Sequence, residues 1–347
     1  MKEVLIDMLY TEVYNSTKVD EETAATLAAM KKAEIHVHLE GALSPELVHR
    51  LSVRNHIPLP AGSPEEWRAF CKFSDFNHFL ECYRMTTECL VQPSDFTEMV
   101  KDFLANQASQ NIVYSEASFS CIMHLNKLPA DELIDALYEG VCSGEQVYNS
   151  RLQIIPDLSR DLVRGKPEQQ EAILNFALAG RKKGICCAIG MGGKETGNPP
   201  ELFRDIYTEA RHEGLHVIAH AGESEGADFV RDSVEMLHVE RIGHGIRVLE
   251  DPELTRKMAE LQIPFEVSPQ SNYCTRVISL DKPHPIRQMI NAGLFCTVNS
   301  DDPSMFSTNL NNEYLTLAAQ GFSLSELQHL NENAFRAAFT KLDIPKD

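Results

Sequence analysis

No stretch of this 347-residue chain is long and apolar enough to span a bilayer. Its N-terminus carries acids within the first seven residues and lacks the apolar run of a signal peptide. Basic residues are scarce: 32 Lys and Arg stand against 51 Asp and Glu, a formal net charge of −19. That balance argues against nucleic acid or an anionic membrane as a partner, because either would be repelled. Nine cysteines contain no C-x-x-C pair, and a reduced, cytoplasmic setting is expected. Repeats, low-complexity tracts and Pro/Gly-rich linkers are missing too. With no place to divide it, the chain reads as one soluble domain over 1–347.

What is present is a 43% hydrophobic content arranged in short apolar runs with helical patterns between them. Strands are expected near 33–39, 111–118, 151–157, 184–190, 215–220, 240–245, 262–268 and 294–300. Runs such as Gly184-Ile-Cys-Cys-Ala-Ile189 are almost continuously apolar, which suits parallel strands covered on both faces. Amphipathic helices are clearest at 200–213 and 251–261. Eight strands with helical crossovers make an α/β fold, a (β/α)8 TIM-type barrel. About seventy residues separate the first two strands, and helices at 44–54, 64–71, 75–90 and 94–109 fill them. This 42–110 insertion after strand 1 is placed to form a lid or pocket wall. Residues 1–30 read as an N-terminal helical extension.

Chemistry in such a barrel gathers at the C-terminal ends of strands. The first ends in Ile35-His36-Val37-His38-Leu39, where alternate residues share a face and the two imidazoles stand roughly 6.6 Å apart along the backbone. The fifth ends in His220-Ala-Gly-Glu223, the sixth carries Arg241-Ile-Gly-His244-Gly245, and the eighth ends in Asn299-Ser-Asp301-Asp302-Pro303. Taken singly, each is more simply a packed, capping or solvated group. Together they bring three imidazoles and a carboxylate to one mouth, the donor set of a hydrolytic zinc site. His49, His56, His78, His124, His212, His238 and His329 fall in helices or loops and read as surface or packing residues. His216 lies at the opposite end of its strand, and His284 opens a helix as a structural residue.

Lys32-Ala-Glu-Ile-His-Val-His-Leu-Glu-Gly41, His-Ala-Gly-Glu at 220–223, Arg-Ile-Gly-His-Gly at 241–245, Ser-Pro-Gln-Ser-Asn at 268–272 and Asn-Ser-Asp-Asp-Pro at 299–303 resemble, in order, the motifs of the adenosine deaminase family of metal-dependent amidohydrolases. The resemblance implies one Zn2+ per subunit, held by His36, His38, His220 and Asp301. It implies that His244 orients and deprotonates the attacking water, and that Glu223 protonates N1 of a purine. Catalysis would then rest on Glu223, His244 and Asp301. His38, Glu40, Gly193 and Asp302 would meet the substrate, Gly193 through its N–H to N3 and Asp302 at N7. Gly190 departs from the family, which often has aspartate there, and Lys194 admits a carbamylated two-metal site as a minor alternative.

Glu40 is a second departure, since adenosine deaminases commonly place aspartate there, on the ribose 5′-hydroxyl. Arg-Ile-Gly-His-Gly fits nucleoside deaminases better than adenine deaminases, which more often have aspartate before that histidine. Gly192-Gly193 and residues 299–306 resemble relatives acting on 6-aminodeoxyfutalosine. The expectation is zinc-dependent hydrolytic deamination of a small-molecule 6-aminopurine nucleoside, adenosine to inosine and ammonia. Adenine and 6-aminodeoxyfutalosine are the alternatives, and a two-metal phosphoesterase or lactonase is the alternative of another class. Nothing in the sequence fixes the oligomeric state.

Overall fold

The computed structural model describes residues 19–72 and 76–343. Most of the expected N-terminal extension, residues 1–18, lies outside the described residues; its end is a helix, Glu21–Ala29, capped by Asp20.

Eight strands form one parallel sheet in sequence order: β1 (Lys32–His38), β2 (Ile112–Phe119), β3 (Arg151–Ser159), β4 (Ala188–Gly192), β5 (His216–Ala221), β6 (Arg241–His244), β7 (Pro264–Val267) and β8 (Phe295–Val298). The sheet curls into the expected (β/α)8 barrel. Its seam is drawn together just beyond β8, where His38 N–H donates to Asp301 O at 2.8 Å and Asp301 N–H to His36 O at 3.2 Å. The strands read as apolar runs because both faces are covered: β1, β4 and β6 are buried at every residue. β4 begins later than the expected 184–190. The turn at Gly184 (φ +80°) and a lone bridge from Cys186 to Ile154 precede it.

Helices start where the sequence supplies caps. Ser44 before Pro45–Asn55, Ser63 before Pro64–Phe70 and Asp251 before Pro252–Leu261 each accept a backbone N–H of the first turn. Each is followed by proline, whose missing N–H costs nothing there. Pro93–Ser109 buries Phe96, Met99, Val100, Phe103 and Leu104, each burial contributing about 1.5–3 kcal/mol.

Inside the barrel, Ile155, Ala188 and Ile218 pack together below the mouth. Beside them Arg241 is fully buried and pairs with Glu116 at 2.6 Å and with Glu266 at 2.5 Å. No helix among the described residues is long and apolar enough to cross a membrane, and all nine cysteines are free thiols.

Candidate metal centre and purine site

The C-terminal ends of β1, β5 and β6 and the residues after β8 bring the expected side chains together. Asp301 Oδ1 lies 3.3 Å from His36 Nε2 and 3.2 Å from His38 Nε2. His38 Nε2 is in turn 3.3 Å from His220 Nε2. Ligand atoms of His36, His220, His244 and Asp301 all fall within 4.8 Å of one another, and His38, Asp301 and Asp302 form a second such set. Ligands 2.0–2.1 Å from a tetrahedral zinc stand about 3.3–3.4 Å apart, so the measured spacings would fit around such an ion. His36 Nε2 is buried without a hydrogen-bond partner, an orphan that a cation would satisfy.

Hydrogen bonds on the far side of each ring decide which imidazoles offer a lone pair to the centre. His36 Nδ1 lies 2.8 Å from Glu266 Oε2, and His220 Nδ1 lies 2.8 Å from Met191 O. Both partners accept only, so Nδ1 carries the proton and Nε2 faces the centre bare. His244 is held the other way. The backbone N–H of Ile286 donates to His284 Nδ1 at 3.1 Å, which leaves the proton of that neutral ring on Nε2. His284 Nε2 therefore donates to Asn272 Oδ1 at 3.0 Å, and Asn272 Nδ2 donates to His244 Nδ1 at 3.2 Å. The neutral His244 ring then keeps its proton on Nε2, which is 3.7 Å from both Glu223 Oε2 and Asp301 Oδ2. A metal ligand needs a free lone pair, and this hydrogen bonding suits the expected donor set of His36, His38, His220 and Asp301 better than one that includes His244.

The acids around the centre favour positive charge there, on the His36 ring or on an ion in its place. Burial pulls the His36 ring down, but Asp301 and Glu266 outweigh it and push it up to about 9. Burial, aided by His36 and His38 against Asp301, brings His244 down to about 4. Burial also holds the Glu223 carboxyl well above its ordinary value, with Asp301 and Glu195 adding to it. Asp302 is pushed up to about 8 by burial and by Asp301, the direction that favours a protonated, hydrogen-bond-donating carboxyl. Asp301 itself stays well below the usual carboxylate range because, against burial, the imidazoles of His36 and His38 beside it hold it ionised. His244 (φ +59°) and Asp301 (φ +63°) both sit in left-handed backbone, which costs non-glycine residues of order 1–3 kcal/mol each and is characteristic of over-determined functional positions.

Two glycines answer to close approach. A Cβ at Gly41 would fall 1.8 Å from Asp302 Oδ1, and one at Gly243 would fall 2.7 Å from His36 Cε1. Gly243 is the residue before His244 on which the nucleoside preference rested. Its packing against a ring of the metal centre accounts for the glycine without reference to any sugar.

Glu40 is fully buried, and both its oxygens are engaged. Ser120 N–H donates to Oε1 at 3.0 Å, His124 Nε2 stands 3.3 Å from the same atom, and Tyr83 Oη donates to Oε2 at 3.4 Å. His124, read as a surface or packing residue, is thus a buried partner of Glu40 that also stacks on Phe119. Gly193 follows β4 at φ +78°, against Ser159, Arg160 and Asp161 of the neighbouring strand end. Lys194 is exposed whereas the histidine cluster is buried, which gives no support to a lysine-bridged two-metal site.

Several residues of the site escaped sequence reasoning. Glu266 and Asp157 are single acids in apolar strands, and that isolation was their only signal. Ser271 donates to Asp301 Oδ2 at 2.6 Å and, with Asn272, lay inside a quoted motif that carried no assigned role. Glu195 accepts Gly222 N–H (2.7 Å), Ser224 N–H (2.6 Å), Ser224 Oγ–H (2.9 Å) and Glu225 N–H (2.8 Å), and so braces the loop that presents Glu223.

A sequence profile described as "Adenosine deaminase" matches residues 31–346. A protein of Cupriavidus pinatubonensis named adenine deaminase is 35% identical over 323 residues, covering 92% of this chain and 91% of its own length. Another of that name, from Crocosphaera subtropica, is 35% identical and covers 89% and 94%. Among solved structures, the adenine deaminase of Arthrobacter aurescens superposes with a TM-score of 0.83 at 32% identity, over 90% of this chain and 94% of that one. A Burkholderia ambifaria amidohydrolase with bound zinc gives a TM-score of 0.86 at 26% identity, over 94% and 90%.

Proposed function

The chain belongs to the adenosine deaminase family of hydrolytic aminohydrolases, and on that premise we propose that it converts adenine and water to hypoxanthine and ammonia. The named relatives favour the free base over adenosine, the substrate expected from the sequence. The observation that carries the choice is the engagement of Glu40. In the resemblance that position meets the ribose 5′-hydroxyl, whereas here both carboxylate oxygens already serve Ser120, His124 and Tyr83. A sugar hydroxyl would have to break into a buried, hydrogen-bonded cluster, and replacing such partners is costly.

His36, His38, His220 and Asp301 are the residues that would hold a divalent ion, zinc being the one their donor set suits. When bound, that ion supplies Lewis acidity, which brings the pKa of water from 15.7 toward about 7. Glu223, kept protonated by burial, delivers a proton to N1 as water adds to C6. That step breaks the aromaticity of the ring and makes C6 tetrahedral, the Glu223 carboxylate taking up the proton the water sheds. The C6–N bond then breaks as Glu223 returns that proton to the amino group, and ammonia leaves. The C6 hydroxyl gives its proton to Glu223 to become the carbonyl. His244 faces the same space with an Nε2–H and orients the attacking oxygen by donating to it. Its expected part as the base would need the lone pair that Asn272 leaves protonated. Asp302 donates to N7, and the Gly193 N–H meets N3.

Ammonia release from adenine, adenosine, 2′-deoxyadenosine, 6-aminodeoxyfutalosine and methylthioadenosine tests the reading. Adenine is expected to lead in kcat/KM by roughly 10⁴-fold, the scale on which a site built around one set of polar partners rejects a poor match. Equal or faster turnover of any nucleoside would overturn it.

A further inference from the structure

We propose that Asp157 reads the N9 position of the purine, its free carboxylate oxygen accepting the N9–H of an unsubstituted base. The inference rests on the function proposed above and explains how a base is told from its nucleoside.

Asp157 lies near the C-terminal end of β3, two residues beyond Ile155, whose side chain packs inside the barrel. Alternation along a strand therefore turns Asp157 inward as well. It is 3% exposed, and its Oδ1 has no hydrogen-bond partner. An acceptor buried in that state is costly unless something supplies a donor. The neighbouring strand leaves it room. Asp157 pairs in register with Gly190, and a Cβ at Gly192 would fall 3.3 Å from Asp157 Oδ2 and 3.6 Å from His220 Cε1. With glycine at both positions, the carboxylate faces the space beside the metal centre unobstructed.

The order of strands around the mouth says which edge of the base arrives there. Glu223 after β5 takes N1, Gly193 after β4 takes N3, and Asp302 after β8 takes N7. Going round the purine from N1 through N3, the next nitrogen before N7 is N9. Going round the barrel from β5 through β4, the next strand is β3, and its inward polar side chain is Asp157. Past it come Ser120, after β2, and Glu40, after β1. Glu40 is already committed to Ser120, His124 and Tyr83. Asp157 alone on this arc offers an unused acceptor, and N9–H is the one ring N–H that adenine has and adenosine lacks.

The test compares kcat/KM for adenine, 9-methyladenine and adenosine in the metal-loaded wild type, Asp157→Ala and Asp157→Asn, with thermal melting to confirm folding. The wild type is expected to prefer adenine over 9-methyladenine by about 10⁴-fold. Asp157→Ala should narrow that ratio to about 10²-fold or less, through loss on adenine while 9-methyladenine is turned over at least as well as before. Asp157→Asn keeps the shape and one acceptor, so it should lose about 10-fold or more on adenine with 9-methyladenine unchanged, and it carries the test if the alanine variant does not fold. If wild type deaminates adenine but both variants lower the two bases equally, Asp157 is structural and the inference fails while the function stands. If adenosine outpaces 9-methyladenine in wild type and loses that lead in the variants, the donor is a sugar hydroxyl and the N9–H assignment is overturned. If adenine is not a substrate at all, the proposed function falls and the inference falls with it.

Discussion

Substituting Asn272 by Asp should turn the His244 ring over without moving it. In the wild type the donors run from Ile286 N–H through His284 and Asn272 to His244 Nδ1. Reversing the last link would set two N–H groups against each other and leave a buried donor unpaired. That costs about 1–3 kcal/mol, roughly a 5- to 150-fold excess of the Nε2–H tautomer. In Asn272→Asp one oxygen still accepts from His284, but the other faces Nδ1. The ring must then place a proton on Nδ1 or take up a second one. A carboxylate about 4 Å from an imidazolium contributes about 4 kcal/mol at an effective dielectric of 20, roughly three pKa units. That would lift His244 from about 4 toward neutrality. Proton–nitrogen correlation spectra of histidine-labelled protein at pH 8 read the outcome directly, with Nε2 protonated in wild type and Nδ1 protonated in the variant. Losing the Nε2–H donor should lower kcat/KM by about 10²–10³-fold, the scale measured for removing one preorganised donor, with little change in melting temperature. A wild-type spectrum with His244 protonated on Nδ1 would refute the whole chain of reasoning.

Glu195→Gln must turn an amide NH2 toward at least one of the four donors from residues 222–225. The cost is about 2–4 kcal/mol, with faster hydrogen exchange at those amides; unchanged exchange would show that Glu195 does not brace the loop. For Glu223, the working form is protonated, so activity is lost as pH rises through its raised pKa. Glu223→Gln should remove about 10²–10⁴-fold of kcat/KM together with that alkaline limb, and a variant that keeps both would exclude it as the acid. Chelation should lower the melting temperature of wild type, because a bound ion at a thousand times its dissociation constant stabilises by about 4 kcal/mol. Glu266→Gln, which loosens the His36 ring, should weaken metal affinity about 10- to 100-fold by titration; equal affinity would remove Glu266 from the site.

Elements that depend on local chemistry were legible. Ser44-Pro45 and Asp251-Pro252 announce helix starts through their own backbone requirements, and the apolar runs announce strands because both faces of a parallel sheet are covered. The histidines and acids at four strand ends were legible for a related reason, since strand period and barrel topology dictate that strand ends share one mouth. Partners distant in sequence were not. Tyr83 reaches Glu40 across 43 residues and His124 across 84, and no spacing rule connects them. Gly243 does not decide the substrate, because a missing side chain has two explanations, and the His36 ring beside it supplies the packing one.

By itself the sequence determined the barrel, the family and the donor types at its mouth, all of which follow from periodicity and from motifs contiguous in the chain. The tertiary structure decided which nitrogen of each histidine faces the centre. That choice depends on the acceptor or donor behind the ring: Glu266 from β7 for His36, Met191 from β4 for His220, Asn272 for His244. It also decided what Glu40 and Asp157 are free to do. Strand pairing and burial set the neighbours of a carboxylate, and those neighbours determine whether it is already satisfied or still waiting for a substrate.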